Sequence, residues 1–274
     1  MTDLDGTVLH ETNGRVSIPD QVAAGLTALA AHGRPIILNT LRFPANVIRS
    51  FGPKWHAIQG GAVPLISLNG AIGGMIVMTA SGAMGFDELF AQPLTPQEID
   101  AVLSELEAEI VAGAQDVVLF FHPRDWRLGE TLWTPDERRI PALHQKYPNA
   151  DRVIAVELSA LREELFCRDI CLLLIPHGET PIHRQQQRRF FHTGGNANKL
   201  SGARRMADAL GIELEASIGA GDTMMDVFLT GTGLAIRVGA PDLTYEGLAG
   251  AIDVADPAGF GATMLTLAAL LDMQ

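Results

Sequence analysis

Two aspartates near the start of the chain, Asp3 and Asp5, stand two residues apart in the run Asp-Leu-Asp-Gly-Thr. Carboxylates at this spacing where a strand ends point into the same space, and Gly6 lets the chain turn so that backbone N–H groups can bind an anion. One carboxylate can then attack phosphorus while the other donates a proton to the leaving alkoxide. The simpler alternative is an acidic loop that closes an Asp-Gly turn.

Two further residues could supply the positive charge and hydrogen bonds that phosphoryl transfer requires. Thr40 ends an apolar run, and its hydroxyl could bind a phosphate oxygen, although a threonine at a strand end is common. Lys199 opens a predicted helix after a glycine-rich segment. Because a cation in the first turn opposes the helix dipole, this placement favours phosphate binding over the alternative of an exposed surface lysine.

A second acidic pair, Asp222 and Asp226, follows an apolar strand in the run Gly-Ala-Gly-Asp-Thr-Met-Met-Asp. Asp226 lies one helical turn beyond Asp222 and therefore returns to the same side. Oxygen ligands with room for water suit Mg²⁺, which would also offset the acids already gathered there. The alternative for Asp222 is a helix N-cap.

Composition narrows the function further. The chain has 274 residues, a net charge of −12 and 47% hydrophobic residues, which is a globular composition without a basic block. We therefore expect no nucleic-acid binding through bulk charge. The longest stretch without charged residues, 55–86, is broken by glycines and Pro64, so we expect no membrane span. The acidic start predicts no secretory signal, and Cys167 and Cys171 are expected to be buried free thiols in a reducing cytoplasm.

Strand and helix signals alternate at both ends of the chain, which predicts an α/β fold with a doubly wound parallel-sheet, Rossmann-like core. The predicted elements of the core are helices from residue 20 to Gly33, at 45–51, 199–210, 224–229 and 263–271, and strands at 35–38, 216–218 and 234–238.

The middle of the chain carries a different pattern, which predicts an inserted α/β cap domain at 74–187 and a core of 1–73 and 188–274. A capping box begins a helix at Thr95, Pro96 and Glu98. Further strands are predicted at 117–121, 152–156 and 169–175, with helices at 136–147 and 159–166.

These elements in this order resemble the haloacid dehalogenase (HAD) superfamily of aspartate-nucleophile phosphotransferases. The segment 67–71 resembles the segment before the cap in Cof-type and sucrose-phosphatase-like members. The segment 191–199 resembles the sucrose-phosphatase and mannosyl-phosphoglycerate-phosphatase branch, and the insertion matches the large α/β cap by position and size. The resemblance implies that Asp3 is the nucleophile and Asp5 the general acid and base.

The same resemblance implies the rest of the core site. Thr40 and Lys199 would hold the transferring phosphate, together with the backbone turn at Gly6. Asp3, Asp222 and the backbone carbonyl of Asp5 would bind Mg²⁺, with Asp226 either as a ligand or in support of the ligands. A small phosphorylated metabolite would be the substrate, with a sugar phosphate as the leading candidate.

Substrate choice is predicted to involve four residues. The resemblance implies a role for Arg42, which stands in the substrate loop, and for Asn69, which stands in the segment before the cap. Arg124 and Arg127 come from the composition of the cap, where cations beside flat rings suit sugar and phosphate recognition. The alternative is that this segment belongs to the core of the cap and that Arg124 and Arg127 are solvated arginines without a role in substrate binding.

Three departures from the family pattern affect these expectations. Leu41 replaces a small residue, Met225 replaces an asparagine, and only Met1 and Thr2 precede the nucleophile, where a full apolar strand is expected. We therefore expect a start placed too late or a truncated chain. A phosphatase is the leading hypothesis; a phosphomutase of similar build, or a catalytically impaired sugar-phosphate-binding protein, are the alternatives.

Overall fold

The computed structural model describes residues 1–12, 14–114, 116–176 and 191–273. The helices in these residues are α1 (Asp20–Ala31), α2 (Pro44–Gln59), α3 (Pro96–Val111), α4 (Ile140–Lys146), α5 (Leu158–Phe166), α6 (Lys199–Leu210) and α7 (Pro257–Leu271). The strands are β1 (His10–Thr12), β2 (Arg15–Ser17), β3 (Leu38–Asn39), β4 (Val63–Ser67), β5 (Ile72–Met78), β6 (Met84–Ala91), β7 (Leu119–Pro123), β8 (Thr131–Trp133), β9 (Arg152–Ile154), β10 (Ile170–Leu174), β11 (Phe191–Thr193), β12 (Ile218–Gly221), β13 (Leu234–Val238) and β14 (Ala251–Val254).

The chain divides into two compact units. Met1–Phe90 and Asn198–Gln274 form the first, and Ala91–Ala197 form the second. The observed boundaries differ from the predicted ones at 73/74 and 187/188. The hairpin of β5 and β6 belongs to the first unit because β5 pairs antiparallel with β4. The predicted boundary at 187/188 lies outside the described residues, and β11 beyond it pairs with β10 of the second unit.

The first unit is built on a mixed sheet that is mostly parallel. β12, β13 and β14 pair in parallel on one side, and β3 and β4 pair in parallel on the other, followed by β5 and β6. Thr2 joins the two sides, since it forms a parallel bridge to Leu38 and another to Ala220. Met1–Asp3 therefore occupy the centre of the sheet, which confirms the doubly wound α/β core.

Helices cover this sheet on both faces. α1 packs on α7 and α2, and α7 also contacts β13 and β14. α6 packs against β3, β4 and β5, where Ala203 and Met206 join a buried cluster with Ile37, Ile66 and Phe228. α6 packs against β3, which flanks Thr2 on one side, and its first residue, Lys199, reaches Asp3 at the carboxyl end of the Met1–Asp3 segment.

The second unit has its own sheet and core. The strand order is β11, β10, β7, β8 and β9, with antiparallel pairs except for the parallel pair of β8 and β9. α3 begins at the predicted capping box, in which Thr95 and Glu98 satisfy each other's backbone N–H groups. Leu103 of α3, Leu165 of α5 and Phe121 of β7 belong to one buried cluster.

Several predicted elements differ from those observed. α2 continues to Gln59 in spite of Pro53, whereas the predicted helix ended at residue 51. The predicted helix 224–229 is a short 3₁₀ helix at Val227–Gly231, and α7 begins at Pro257, well before residue 263. Cys171 is buried as expected, but Cys167 is exposed. Among the described residues, no helix has the length and apolar character that crossing a bilayer requires.

Candidate active site

Asp3 lies at the centre of the sheet, at the carboxyl end of the Met1–Asp3 segment. Its backbone N–H donates to the carbonyl of Ala220 at 2.9 Å. The N–H of the preceding Thr2 donates to Ile37 at 2.8 Å, on the opposite side. Asp3 is thus fixed between β3 and β12, and the residue is only 5% exposed.

A lysine ammonium joins two buried carboxylates at this place. Lys199 Nζ donates to Asp3 Oδ1 at 2.5 Å and to Asp226 Oδ1 at 2.6 Å. Lys199 is 3% exposed and Asp226 is fully buried. This arrangement rules out the alternative of an exposed surface lysine, and it gives the cation at the start of α6 a partner that offsets the unfavourable helix dipole.

The loop after β12 orients the carboxylate of Asp226. Asp226 Oδ2 accepts hydrogen bonds from the backbone N–H groups of Asp222 and Thr223, both at 2.9 Å. Asp222 Oδ1 accepts from the Thr7 hydroxyl at 3.1 Å. The next helix is the short 3₁₀ helix Val227–Gly231, so Asp222 is not a helix N-cap. Both oxygens of Asp226 are engaged, one by Lys199 and the other by the loop.

Gly6 is required by the close approach of the two acidic loops. Its φ is +81°, a conformation that favours glycine, and a Cβ at this position would overlap the Asp222 carboxylate. The Asp-Gly dipeptide of the sequence therefore does form a turn, as the simpler alternative held, but the turn also brings Asp222 next to Asp3.

The three carboxylates outnumber the single ammonium, and their pKa values reflect this. Burial raises the pKa of Asp3 well above its usual value; Lys199 opposes the shift, while Asp226, Asp222 and Asp5 increase it. Burial and the charge of Asp226 raise the pKa of Asp222 to about 6. Burial would lower the pKa of Lys199, but the charges of Asp226 and Asp3 outweigh it and raise that pKa.

The acidic cluster fits a hard divalent cation. One oxygen from each of Asp3, Asp222 and Asp226 lies within 4.8 Å of the others. The donors are all carboxylate oxygens, which Mg²⁺ prefers, and the excess negative charge is the electrostatic condition that a divalent ion relieves. The donor set and the raised pKa values therefore agree with the predicted metal site.

Asp5 is held apart from this cluster by an arginine. Arg42 Nε donates to Asp5 Oδ2 at 2.7 Å, and Arg42 Nη2 donates to Asp5 Oδ1 at 2.5 Å. The guanidinium also lies over the ring of Phe51, with 5.5 Å to the ring centroid. A bidentate pair of this kind fixes the orientation of the carboxylate.

Thr40 is buried at the end of β3, where its Oγ1 accepts from the backbone N–H of Arg42 at 3.1 Å. The hydroxyl proton of Thr40 is left to donate to an anion. The backbone carbonyl of Thr40 accepts a hydrogen bond from the backbone N–H of Asn69 at 3.2 Å. The predicted phosphate-binding threonine therefore connects the Arg42 loop with the turn that follows β4.

Comparison with known proteins places this arrangement in a fold family. No protein-family model and no curated protein matches the chain. A HAD subclass IIB sugar phosphatase superposes with a TM-score of 0.67 at 18% identity, covering 97% of each chain. A HAD phosphatase from Bacteroides thetaiotaomicron gives 0.65 at 16% identity, over 98% of this chain and 94% of that one. A member of a phosphoryl-transfer superfamily gives 0.67 at 17%, over 97% of both. The chain has the HAD fold.

The turn after β4 is strained within this HAD fold. Leu68 and Asn69 have positive φ values of 50° and 55°, which side-chain-bearing residues rarely adopt. The turn is held by Ser67 Oγ and the Leu68 N–H, which both donate to the carbonyl of Arg42. A Cβ on Gly70 would overlap the carbonyl of Asn198, so the turn abuts the start of α6. Asn69 is buried there, and its contact with substrate stays a prediction.

The other two predicted substrate residues, Arg124 and Arg127, lie in the second unit of the HAD fold. Arg124 Nη1 lies 3.4 Å from Asp169, and Arg127 Nη1 lies 3.7 Å from Asp125. Arg127 also stacks over Trp126 at 5.4 Å. Both side chains are half-exposed or more, as solvated arginines are. Their role in substrate binding stays a prediction.

Sequence reasoning missed three features of this site. Thr7 was quoted in the opening motif, but its hydrogen bond to Asp222 was not predicted. The pairing of the Arg42 guanidinium with Asp5 was not predicted, and the assignment of Arg42 to substrate stays a prediction. No role was predicted for Asn39, next to Thr40, although a polar residue in an apolar strand run was a signal in the sequence.

Proposed function

We propose that the chain is a Mg²⁺-dependent phosphomonoesterase that acts on a small phosphorylated metabolite through a phosphoaspartyl group on Asp3. The observation that carries this proposal is the buried cluster in which Lys199 contacts Asp3 and Asp226 beside Asp222. Burying three acids with one cation lowers the stability of the fold, so their presence together indicates a functional site. The HAD fold supports the proposal independently.

In the first step, a carboxylate oxygen of Asp3 attacks the phosphorus of the ester. The bond between phosphorus and the leaving oxygen breaks, and its electron pair stays on that oxygen, which takes a proton from Asp5. Both oxygens of Asp5 accept hydrogen bonds from Arg42, so Asp5 can carry that proton only after one of these bonds has opened. Thr40, Lys199 and the backbone turn at Gly6 would hold the phosphate oxygens.

In the second step, Asp5 takes a proton from water as the water oxygen attacks phosphorus. The bond between phosphorus and Asp3 breaks, the carboxylate of Asp3 is restored, and inorganic phosphate leaves. Because the transition state carries spread negative charge, the ammonium of Lys199 contributes by electrostatic stabilisation.

Asp3 and Asp222 would hold Mg²⁺ directly. When bound, Mg²⁺ supplies Lewis-acid stabilisation of the phosphoryl charge and lowers the repulsion between Asp3 and the phosphate. Asp226 would orient Lys199 and the 222–226 loop, since both of its oxygens are already engaged. A metal contact through the backbone carbonyl of Asp5 remains part of the proposal.

A phosphorylated sugar is the substrate class to test first. One structural neighbour is a sugar phosphatase, and exposed arginines beside Trp126 in the second unit offer the cations and rings that sugar phosphates bind. Arg124 and Arg127 are the proposed contacts.

Phosphate release from an aryl phosphate and from a panel of sugar phosphates tests the proposed function. We expect turnover with Mg²⁺ and its loss in EDTA, with recovery when Mg²⁺ is restored. Turnover that persists in EDTA contradicts the proposal. An isomerised substrate with little free phosphate indicates a phosphomutase, and binding without turnover indicates a sugar-phosphate-binding protein.

The stability of the metal-free protein is expected to fall as pH rises from about 4 to 7. The pKa of Asp222 is about 6 in the folded protein against a model-compound value of 3.8, so the folded state binds more protons in this window and loses stability as they leave. Mg²⁺ at about ten times its Kd should then add roughly 1.4 kcal/mol at pH 7.5, or about 3 °C in Tm.

Thermal unfolding at pH 5.0 and 7.5, with EDTA and with Mg²⁺, measures this effect. The increase in Tm on adding Mg²⁺ should be smaller at pH 5.0, because the ligands must lose their protons to bind metal. The Asp222→Asn variant should lose the increase at both pH values. An equal increase at both pH values, or one that survives in this variant, contradicts the assignment.

A further inference from the structure

Asn39 hydrogen-bonds to both of the backbone segments that carry the Lys199–Asp3 ion pair. Its backbone N–H donates to the carbonyl of Thr2 at 2.8 Å, one residue before Asp3. Its side-chain Nδ2 donates to the backbone carbonyl of Lys199 at 2.9 Å. One fully buried residue thus connects the strand that carries the nucleophile with the helix that carries the cation.

This residue is unfavourable for the fold in itself. Asparagine is a poor strand former, and Asn39 forms half of the two-residue, fully buried strand β3. Its Oδ1 is buried and has no hydrogen-bond partner among the described residues. A buried acceptor without a partner destabilises the fold. An apolar residue of similar shape would avoid this cost, so packing alone does not explain the amide.

The first residue of α6 needs such an anchor. Lys199 lies directly after the N-cap Asn198, where helix ends fray. Its long side chain has four rotatable bonds, yet its ammonium must stay within hydrogen-bond distance of Asp3 and Asp226 at once. The Gly70 turn abuts Asn198, while Asn39 ties the carbonyl of Lys199 itself to the central strand.

We propose that Asn39 is a positioning residue, which fixes the backbone of Lys199 relative to Asp3 and thereby keeps the ammonium between Asp3 and Asp226. The effect of Asn39 on turnover rests on the proposed phosphatase function. Its effect on the Lys199 ammonium does not depend on that function, and the two can be measured separately.

The kinetic test uses Asn39→Leu, which removes both the amide donor and the unpartnered acceptor. We expect kcat to fall about tenfold or more, because displacing a reacting group by about 1 Å can cost about 10²-fold. KM should change less than twofold, and Tm should stay equal or rise. A variant with lower Tm and unchanged kcat shows a structural role only and overturns the proposal.

Trp55→Phe is the matched control for this change. Trp55 is fully buried in α2, and its Nε1 also has no hydrogen-bond partner among the described residues. Removing that indole N–H should shift Tm without changing kcat. If Asn39→Leu does not fold because leucine overpacks the strand, Asn39→Ala removes the same hydrogen bond without adding volume. The same expectations for kcat and KM apply to it, while the cavity it leaves lowers Tm.

The direct test observes the Lys199 ammonium by NMR with ¹⁵N-labelled lysine. The chain has only three lysines, Lys54, Lys146 and Lys199, so their signals can be assigned with Lys54→Arg and Lys146→Arg. The buried, hydrogen-bonded ammonium of Lys199 should give a slowly exchanging signal in the wild type. We expect this signal to shift or broaden in the Asn39 variant and to stay unchanged in Trp55→Phe.

The two measurements separate failure of this proposal from failure of the proposed function. An active wild type with unchanged kcat and an unchanged Lys199 signal in the Asn39 variant overturns the positioning role alone. A fall in kcat without any change in the Lys199 signal also overturns it. A changed Lys199 signal in a protein without phosphatase activity supports the positioning role and contradicts the proposed function.

Discussion

Replacing Asp3 with asparagine is expected to lower phosphate release by about 10⁴-fold or more, the scale on which enzymes lose activity when their nucleophile is removed. The amide keeps the shape of the side chain but cannot supply the negative oxygen that forms the bond to phosphorus. Lys199 also loses one of its two carboxylate partners, so its ammonium is held less firmly.

The fold of this variant is expected to remain intact. Burial raises the pKa of Asp3, which means that the ionised carboxylate is unfavourable in the metal-free protein. A neutral amide relieves its repulsion from Asp222 and Asp226, and we therefore expect a Tm in EDTA at pH 7.5 that equals or exceeds that of the wild type. Loss of activity with retained stability is the signature of a residue selected for chemistry.

Asp253→Asn is the matched control for this prediction. Asp253 is an exposed aspartate of β14 that pairs with Arg237 at 2.6 Å, and removing its charge should leave phosphate release unchanged. Activity within tenfold of the wild type in Asp3→Asn would show that the phosphoryl group is transferred without this carboxylate.

Two general rules of protein structure, applied to the sequence, explain why the acids and the ammonium of the site lie together. Thr40 and Asp222 both follow short apolar runs, and the carboxyl ends of parallel strands meet at the same edge of a sheet. Lys199 breaks the helix-dipole rule at a glycine-rich helix start, and such a violation often marks a functional residue. These local signals were sufficient to predict that the acids and the ammonium lie together.

The pairing of Asp5 with Arg42 was not accessible in the same way. Which carboxylate an arginine selects depends on the rotamers of long side chains and on the path of the loop after β3, and neither leaves a periodic signal. Asn39 was missed because a single polar residue in an apolar run is also compatible with a strand end. Its significance depends on the position of α6, which lies 160 residues away in sequence.

The differences in the fold have comparable causes. α2 continues through Pro53 because its buried face, including Trp55 and Ile58, is favourable enough to outweigh one missing backbone donor. The boundary of the second unit was placed too early because the hairpin after β4 looks like inserted sequence. Only its antiparallel pairing with β4 assigns it to the core sheet.

Replacing Lys199 with methionine is expected to destabilise the metal-free protein at pH 7.5 by about 3–5 kcal/mol, the scale for breaking a buried ion pair by removing one partner. Methionine fills the volume of the lysine stem, but Asp3 and Asp226 are then buried without a cation. We expect phosphate release to fall by about 10²–10³-fold as well, since a preorganised group that stabilises transition-state charge is lost.

The pH dependence distinguishes this electrostatic effect from a packing defect. The carboxylates that repel one another can take up protons at low pH, so the destabilisation should be smaller at pH 5.0 than at pH 7.5, as measured by urea unfolding in EDTA. Lys146→Met is the control, because Lys146 is exposed on α4 and its loss should change neither quantity by much. A destabilisation that is equal at both pH values would mean that Lys199 contributes through its hydrocarbon stem and not through its charge.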